Sequence, residues 1–114
     1  MAQFEFIEWL ALWLLETSIF HFDWDEGNSS KSQIKHGVLN VEVEEVFVSG
    51  LLAPLGVQFS PVVEEERLAV IGSTIQGKIL TIVFTLRDGK IRPISSRVAN
   101  RKEREIYENV CKIS

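Results

Sequence analysis

The most constraining feature of this chain is a hairpin signature in its C-terminal half. The strand-forming run ILTIVFTL at 79–86 is followed by Asp88-Gly89 and then by KIRPIS at 90–95. An Asp-Gly pair favours a two-residue turn with positive φ at both positions, and such a turn joins adjacent antiparallel strands. The sequence therefore predicts an antiparallel sheet whose register is fixed outward from this turn.

The register decides which face of the sheet each hairpin residue occupies. It predicts these pairs: Arg87 with Lys90, Leu86 with Ile91, Thr85 with Arg92, Phe84 with Pro93, Val83 with Ile94, Ile82 with Ser95 and Thr81 with Ser96. Arg92 then lies on the face away from the core. Arg97 falls on the core side at the strand end, where it could pair with Asp23 or Asp25. Pro93 has no N–H to donate, so it suits only an edge strand or a bulge.

Hydrophobic periodicity and turn residues predict the remaining elements. They are a helix over 3–16, a strand over 19–24, short helices over 25–36 and 41–48, short strands over 57–61 and 68–72, and a helix over about 101–112. Asn100 followed by Glu103 forms a capping-box pattern. We expect Glu42, Glu44 and Glu45 to face solvent. The order is typical of an α+β fold: an antiparallel sheet of about four strands, two short helices after the first strand and a C-terminal helix.

Residues 1–18 form an apolar extension to a main domain that we place at 19–114. The run WLALWLL at 9–15 is shorter than the roughly 20 apolar residues of a membrane span, and no basic flank precedes it. It predicts an extra N-terminal helix, buried against the domain or against a partner chain, and no contact with membranes. The single Cys111 can form neither an intramolecular disulfide nor a zinc-binding cluster, so we expect a cytoplasmic protein.

Charge is distributed unevenly along the chain. Residues 1–67 contain 12 Asp or Glu and 3 Lys or Arg, whereas residues 68–114 contain 4 and 9. The basic half could bind an anion such as RNA or could be an ordinary solvated surface, and the net charge of −4 argues against non-specific coating of nucleic acid. Cations in the first turn of a helix oppose its dipole, which makes sense where an anion binds nearby. The candidate RNA-binding residues are Lys78, Arg101, Lys102 and Arg104.

Two segments together resemble the BrnT toxin family, the RelE-like toxin half of type II toxin–antitoxin pairs. The first is FDWDEGNSSKSQIKHGV at 22–38, with EEVF at 44–47. The second is ERLAVIGSTIQGKILTIVFTLRDGKIRPISSRVANRKEREIYE at 66–108. The chain departs from the family pattern at Ser73, where many members carry a basic residue, and at Pro93 and Ser96, which replace Ile and Ala.

The resemblance implies a compact RelE-like domain with metal-independent endoribonuclease activity that inhibits translation and needs no cofactor. It also implies a cognate antitoxin, a BrnA-like ribbon-helix-helix protein, through which alone the chain would meet operator DNA. The Ser73 departure and the acidic balance leave a second function open. The chain could be a catalytically inactive BrnT-like binding module that only holds an antitoxin or another partner protein.

Metal-free cleavage of RNA uses the 2′-OH of the substrate as the nucleophile. Cations and a group that titrates near neutrality suit this reaction, because charge develops on the phosphate while protons move. The candidate catalytic residues are His36, Lys35, Arg92 and Arg97, without metal ligands. His36 also stands just before a glycine at a predicted helix end, where it could equally serve as a structural cap.

Overall fold

The computed structural model describes residues 4–5, 8–17, 19–29, 35–48, 52–58 and 67–113. In chain order the elements are β1 (Phe4–Glu5), α1 (Glu8–Glu16), α2 (Asn40–Val48), β2 (Leu52–Gln58), β3 (Arg67–Ser73), β4 (Ile79–Arg87), β5 (Lys90–Val98) and α3 (Arg101–Ile113). The strands form a five-stranded antiparallel sheet in the order β1-β2-β3-β4-β5. The predicted α+β class, with its antiparallel sheet, N-terminal helix and C-terminal helix, is confirmed.

The first face of the sheet carries the larger core. Its fully buried side chains come from α1, α2, the turn before α2 and the strands: Leu10, Val38, Val43, Val46, Phe47, Leu68, Val70, Leu80, Ile82, Phe84 and Ile91. Phe47 of α2 lies at the centre, with ring centroids 5.3 Å from Phe84 and 5.6 Å from both Phe20 and Phe22. The contacts with Phe22 and Phe84 are edge-to-face, a geometry that adds to the stabilisation from burial. Phe20 and Phe22 therefore pack against the core, whereas His21 between them is exposed.

The opposite face of the sheet is covered by α3. A smaller apolar cluster joins Ala53 of β2 and Ile71 of β3 to Ala99 and Tyr107, with Ile106 and Val110 of α3 packed against it. The layers are thus helices, sheet and helix. No helix in the described ranges has the length and apolar character needed to cross a bilayer.

The β4–β5 hairpin has the predicted turn but only part of the predicted register. Asp88 and Gly89 have φ values of 53° and 76°, and pairing runs as expected from the turn to Phe84 with Pro93. The register then shifts: Val83 pairs with Ser95, Ile82 with Ser96 and Thr81 with Arg97. The predicted pairs Val83–Ile94, Ile82–Ser95 and Thr81–Ser96 are therefore wrong.

A β-bulge at Ile94 explains the shift. An extra residue in one strand moves every following side chain to the other face, and Pro93, which cannot donate a ladder hydrogen bond, adjoins it. Arg92 pairs with Thr85 and Arg97 with Thr81. Since Thr81 and Thr85 share one face of β4, the two arginines lie on the same face of β5, and the predicted core-side position of Arg97 is wrong.

Two segments near the N-terminus differ from the predicted elements. Residues 19–24 make no strand: Phe22 forms a single parallel bridge with Ile91, whose N–H and C=O bond the main chain of His21 and Asp23 at 2.7 and 2.8 Å. The predicted helix over 25–36 is a turn at 26–29 and a helical turn at 35–36, while 30–34 lie outside the described residues. The Asp25-Glu26-Gly27-Asn28 stretch favours a turn because its side chains bond the nearby main chain.

The β1–β2 edge was also predicted differently. β1 occupies two residues of the expected 3–16 helix, which instead begins at Glu8. β2 starts at Leu52 and contains Pro54 and Gly56, residues that predict a loop. A register shift between Pro54 and Gly56, with φ of 123° at Gly56, accommodates both in the strand. Residues 59–61 of the predicted strand lie outside the described residues.

The three glutamates of α2 are half-buried and hold neighbouring segments. Glu44 accepts the indole N–H of Trp24 at 2.7 Å, and Glu45 accepts the N–H of Ile75 at 3.2 Å. Glu42 accepts the N–H of Leu39 at 2.9 Å, which closes the first turn of α2. The expectation that these carboxylates face solvent is wrong, because each one satisfies a donor of a neighbouring loop.

Candidate functional site

Lys78 joins the Lys35-His36-Gly37 corner to the sheet. The corner ends in Gly37 at φ 68°, a conformation that favours glycine, and its Lys35 and His36 are exposed. The Nζ atom of Lys78, in the β3–β4 loop, donates to the carbonyl of Gly37 at 3.3 Å and lies 3.5 Å from Glu42 Oε2. The main chain next to the predicted catalytic pair is thus in contact with a predicted RNA-binding lysine.

The first turn of α3 lies at the same end of the sheet. The N–H of Ala99 donates to the carbonyl of Ile79 at 3.0 Å, so the β5–α3 junction is beside Lys78. Arg101, two residues on, is fully exposed, and its Nε is 3.6 Å from a carboxylate of its own helix. The segments that carry the predicted cations therefore lie at the same end of the sheet, the corner on the first face and α3 on the opposite face. These cations are Lys35, His36, Lys78, Arg101, Lys102 and Arg104.

Arg92 lies elsewhere and binds two carboxylates. Its Nη1 is 2.8 Å from Asp25 Oδ2 and 3.7 Å from Asp23 Oδ2, and its side chain is 16% exposed. The hydrogen bond from Arg92 lowers the pKa of Asp25; burial opposes this, and the N–H groups of Gly27 and Asn28 reinforce it. The expected partnership of Asp23 or Asp25 with Arg97 is wrong, since Arg92 takes that place.

Asn28 holds the Arg92-binding loop against β5. This residue is 8% exposed. Its Oδ1 accepts from Asp25 N–H at 2.7 Å, while its Nδ2 donates to the carbonyls of Asp23 at 2.9 Å and Pro93 at 3.0 Å. Sequence reasoning missed this residue. The signal was the turn sequence DEGN, in which an asparagine bonds main-chain groups of its own turn.

Arg97 is bound by the capping box of α3. Its Nη1 and Nη2 donate to the two oxygens of Glu103 at 2.6 and 2.8 Å. Glu103 also accepts the N–H of Asn100 at 2.9 Å, and Asn100 Oδ1 accepts the N–H of Glu103 at 2.8 Å. The predicted capping box is confirmed.

The Arg97–Glu103 contact shifts both pKa values. Burial alone would raise the pKa of Glu103, but the hydrogen bonds from Arg97 and from the N–H of Asn100 outweigh it, and the pKa falls below 4.5. The same contact raises the pKa of Arg97. A bidentate arginine–carboxylate pair is among the stronger polar contacts in proteins. Arg97 therefore fastens the end of β5 to the first turn of α3.

The comparison with protein families identifies the chain. Residues 24–103 match the model described as ribonuclease toxin, BrnT, of type II toxin–antitoxin system. The chain belongs to the BrnT family. A comparison with curated proteins gave no significant match. The BrnT match includes the predicted catalytic residues and ends at the capping glutamate Glu103, whereas β1 and α1 lie before it.

In this BrnT-family chain the predicted site residues divide into two kinds. The guanidinium groups of Arg92 and Arg97 are bound to carboxylates of neighbouring segments. The side chains of Lys35 and His36 are exposed, and Lys78 contacts the main chain of the adjoining Gly37 at the sheet end. Within the described ranges, no three His, Cys, Asp or Glu side chains converge as a metal site would require. The sheet end carries exposed lysine and histidine side chains, which are chemically able to bind an anion and to transfer a proton.

Proposed function

We propose that this chain is the endoribonuclease toxin of its type II pair, and that it cleaves RNA without a metal ion and thereby inhibits translation. The 2′-OH of the substrate attacks the adjacent phosphorus, loses its proton and forms a 2′,3′-cyclic phosphate as the bond to the 5′-oxygen breaks. The leaving oxygen takes up a proton. His36 is the proton-transfer group, because an imidazole can both accept and donate a proton.

The observation that carries this proposal is the contact between Lys78 and Gly37. The Lys78 ammonium lies 3.3 Å from the carbonyl of Gly37, the residue that follows His36 in the chain, and this supports a shared site. Two or three cations around one phosphate would stabilise the additional negative charge of the pentacovalent transition state. Arg101, Lys102 and Arg104 would extend the positive surface along the RNA backbone.

Arg92 and Arg97 have a supporting part in this proposal. With Asp23 and Asp25, Arg92 forms a group whose net charge is −1, which does not favour binding of an RNA phosphate. Arg92 then orients the loop before the Lys35 corner, and Arg97 orients the first turn of α3. Both arginines act through the segments that they hold.

Cleavage of a defined RNA by the purified protein tests the proposal. We expect cleavage in the presence of EDTA, products with cyclic phosphate ends and no cleavage where a 2′-deoxynucleotide replaces the target nucleotide. His36→Ala should slow cleavage by about 10²–10⁴-fold. Lys78→Gln should also slow it, whereas Lys112→Gln, an exposed lysine at the other end of α3, should leave the rate unchanged. Equal rates for wild type and His36→Ala would refute the assignment.

Arg92→Ala separates a supporting role from a catalytic one. We expect a lower melting temperature and, at a temperature where the variant is folded, cleavage close to that of the wild type. Lost cleavage with an unchanged melting temperature would instead place Arg92 among the catalytic residues.

The cognate partner would be a BrnA-like ribbon-helix-helix antitoxin that binds the toxin in the cytoplasm and alone contacts operator DNA. Co-expression with the product of the adjacent small gene should relieve growth arrest and give a co-purifying complex.

One observation favours the alternative of an inactive binding module. Ser73 stands where many relatives carry a cation, and its hydroxyl bonds the neighbouring carbonyl of Thr74 at 2.9 Å. A stable antitoxin complex without any RNA cleavage would establish that alternative.

A further inference from the structure

The outer face of α1 is an exposed apolar surface. Trp9 is 43% exposed, Leu12 48%, Leu15 82% and Ile19, just after the helix, 70%. The inner face supplies Leu10, Trp13 and Leu14 to the large core. At about 100° per residue, the exposed positions of α1 cover roughly a third of its circumference.

This surface is not needed to attach α1 to the domain. The inner residues already bury the helix against the first face of the sheet, with Leu10 completely inaccessible. Scattered exposed apolar residues are ordinary, but several large ones on one contiguous helix face are typical of an interaction site. The face also precedes the matched range 24–103, which contains the proposed catalytic residues.

Two carboxylates limit what can cover this face. Glu8 and Glu16 are exposed, and with Leu12 they occupy positions i, i+4 and i+8, which form one ridge of a helix. The two carboxylates are about 12 Å apart along the axis, at 1.5 Å per residue. A ligand that covers Leu12 must therefore meet a negative charge at both ends.

The spacing disfavours two of the three obvious occupants. In an antiparallel pair of α1 helices centred on Leu12, Glu8 of each copy would face Glu16 of the other, and a parallel pair would oppose identical glutamates. A membrane with anionic lipids would repel both carboxylates. A helix that carries cations two turns apart matches both the charges and the apolar ridge.

We propose that the outer face of α1 docks an amphipathic helix of a partner protein, with Lys or Arg residues about two turns apart on either side of an apolar patch. The apolar patch covers Trp9, Leu12 and Leu15, and the cations pair with Glu8 and Glu16. The α1 face is on the opposite side of the sheet from α3, so the partner helix leaves α3 uncovered.

Binding of two matched helical peptides to the full chain tests this proposal. One peptide of about 18 residues carries lysines on both sides of a leucine stripe, and the other has glutamate at each lysine position. Fluorescence anisotropy should show binding of the lysine peptide and none of the glutamate peptide. Leu12→Ser should weaken binding about tenfold or more, while Val48→Ser, an exposed apolar residue on α2, should leave it unchanged.

A charge reversal gives the decisive result. The variant Glu8→Lys/Glu16→Lys should bind the glutamate peptide and reject the lysine peptide, at an unchanged melting temperature. The proposal is overturned if the lysine peptide does not bind, or if the reversed variant still prefers it. Two other results would also overturn the proposal. Leu12→Ser could convert a dimer seen by light scattering into a monomer, or it could abolish binding to phosphatidylglycerol vesicles. Either result would show that a second copy of the chain or a membrane covers the outer face of α1.

Discussion

Replacing Asn28 by alanine should destabilise the domain by about 2 kcal/mol. The change removes three side-chain hydrogen bonds, to the Asp25 N–H and to the carbonyls of Asp23 and Pro93. At a net 0.5–1.5 kcal/mol each, the loss of three hydrogen bonds costs about 1.5–4.5 kcal/mol. We expect a value near the lower end of this range because Gly27, next to Asn28, is exposed. Water can therefore enter and bond some of the main-chain groups that the Asn28 amide no longer bonds.

Thermal and urea unfolding measure this loss directly. For a chain of 114 residues, about 2 kcal/mol corresponds to a fall of roughly 8 °C in melting temperature. The urea midpoint should fall without a change in slope. Ser29→Ala is the matched control in the same turn, because it removes one hydrogen bond, from Asn40 at 3.0 Å. We expect it to cost under about 1 kcal/mol.

Asn28→Asp tests the reasoning at the level of single atoms. The carboxylate keeps an acceptor for the Asp25 N–H, but it has no proton for the two carbonyls and adds a negative charge beside Asp23 and Asp25. It should therefore be at least as unstable as Asn28→Ala near neutral pH. The reasoning fails if Asn28→Ala melts within about 2 °C of the wild type, or no lower than Ser29→Ala.

Two further predictions concern α3 and the core. The pKa of Glu103 is lowered in the folded state, so its contribution to stability is full above its ordinary value of 4.5 and is lost as pH falls through the lower folded value. Because Arg97 is partly exposed, this contribution is about 1 kcal/mol. Urea midpoints measured between about pH 7 and pH 3 should fall less steeply for Glu103→Gln than for the wild type. Phe47→Ala should cost about 3–5 kcal/mol in urea unfolding, and Val48→Ala, at an exposed neighbouring position, should cost under about 1 kcal/mol.

The sequence predicted the elements that local signals define. The Asp88-Gly89 turn, the strands around it, α2, α3 and the Asn100–Glu103 capping box all follow from residues close together in the chain. Residues 19–24 have the alternation of a strand, yet their aromatic rings fill a core around Phe47. A period-two pattern cannot distinguish a strand from an extended segment that packs without a ladder.

The sequence identified candidate residues for the site, but it did not predict which groups these residues contact in the fold. Local chemistry identified Lys35, His36 and Lys78 as candidates, but the contact of Lys78 with Gly37 joins residues 41 positions apart. The carboxylate partners of Arg92 and Arg97 depend on a bulge and on the folding of a turn back to an edge strand. Such pairings arise from tertiary structure, where one extra residue changes the face that a side chain occupies.

Because of the bulge at Ile94, the number of residues between Arg92 and Arg97 determines which face of β5 Arg97 occupies. Deleting Ile94 would leave the turn, the hairpin and every charged residue unchanged in type. It would nevertheless rotate Arg97 toward the large apolar core and away from Glu103, where an unpaired guanidinium is costly. An alignment of sequences could score such a deletion as a minor gap. In the molecule it would remove the ion pair that fastens the first turn of α3 to β5.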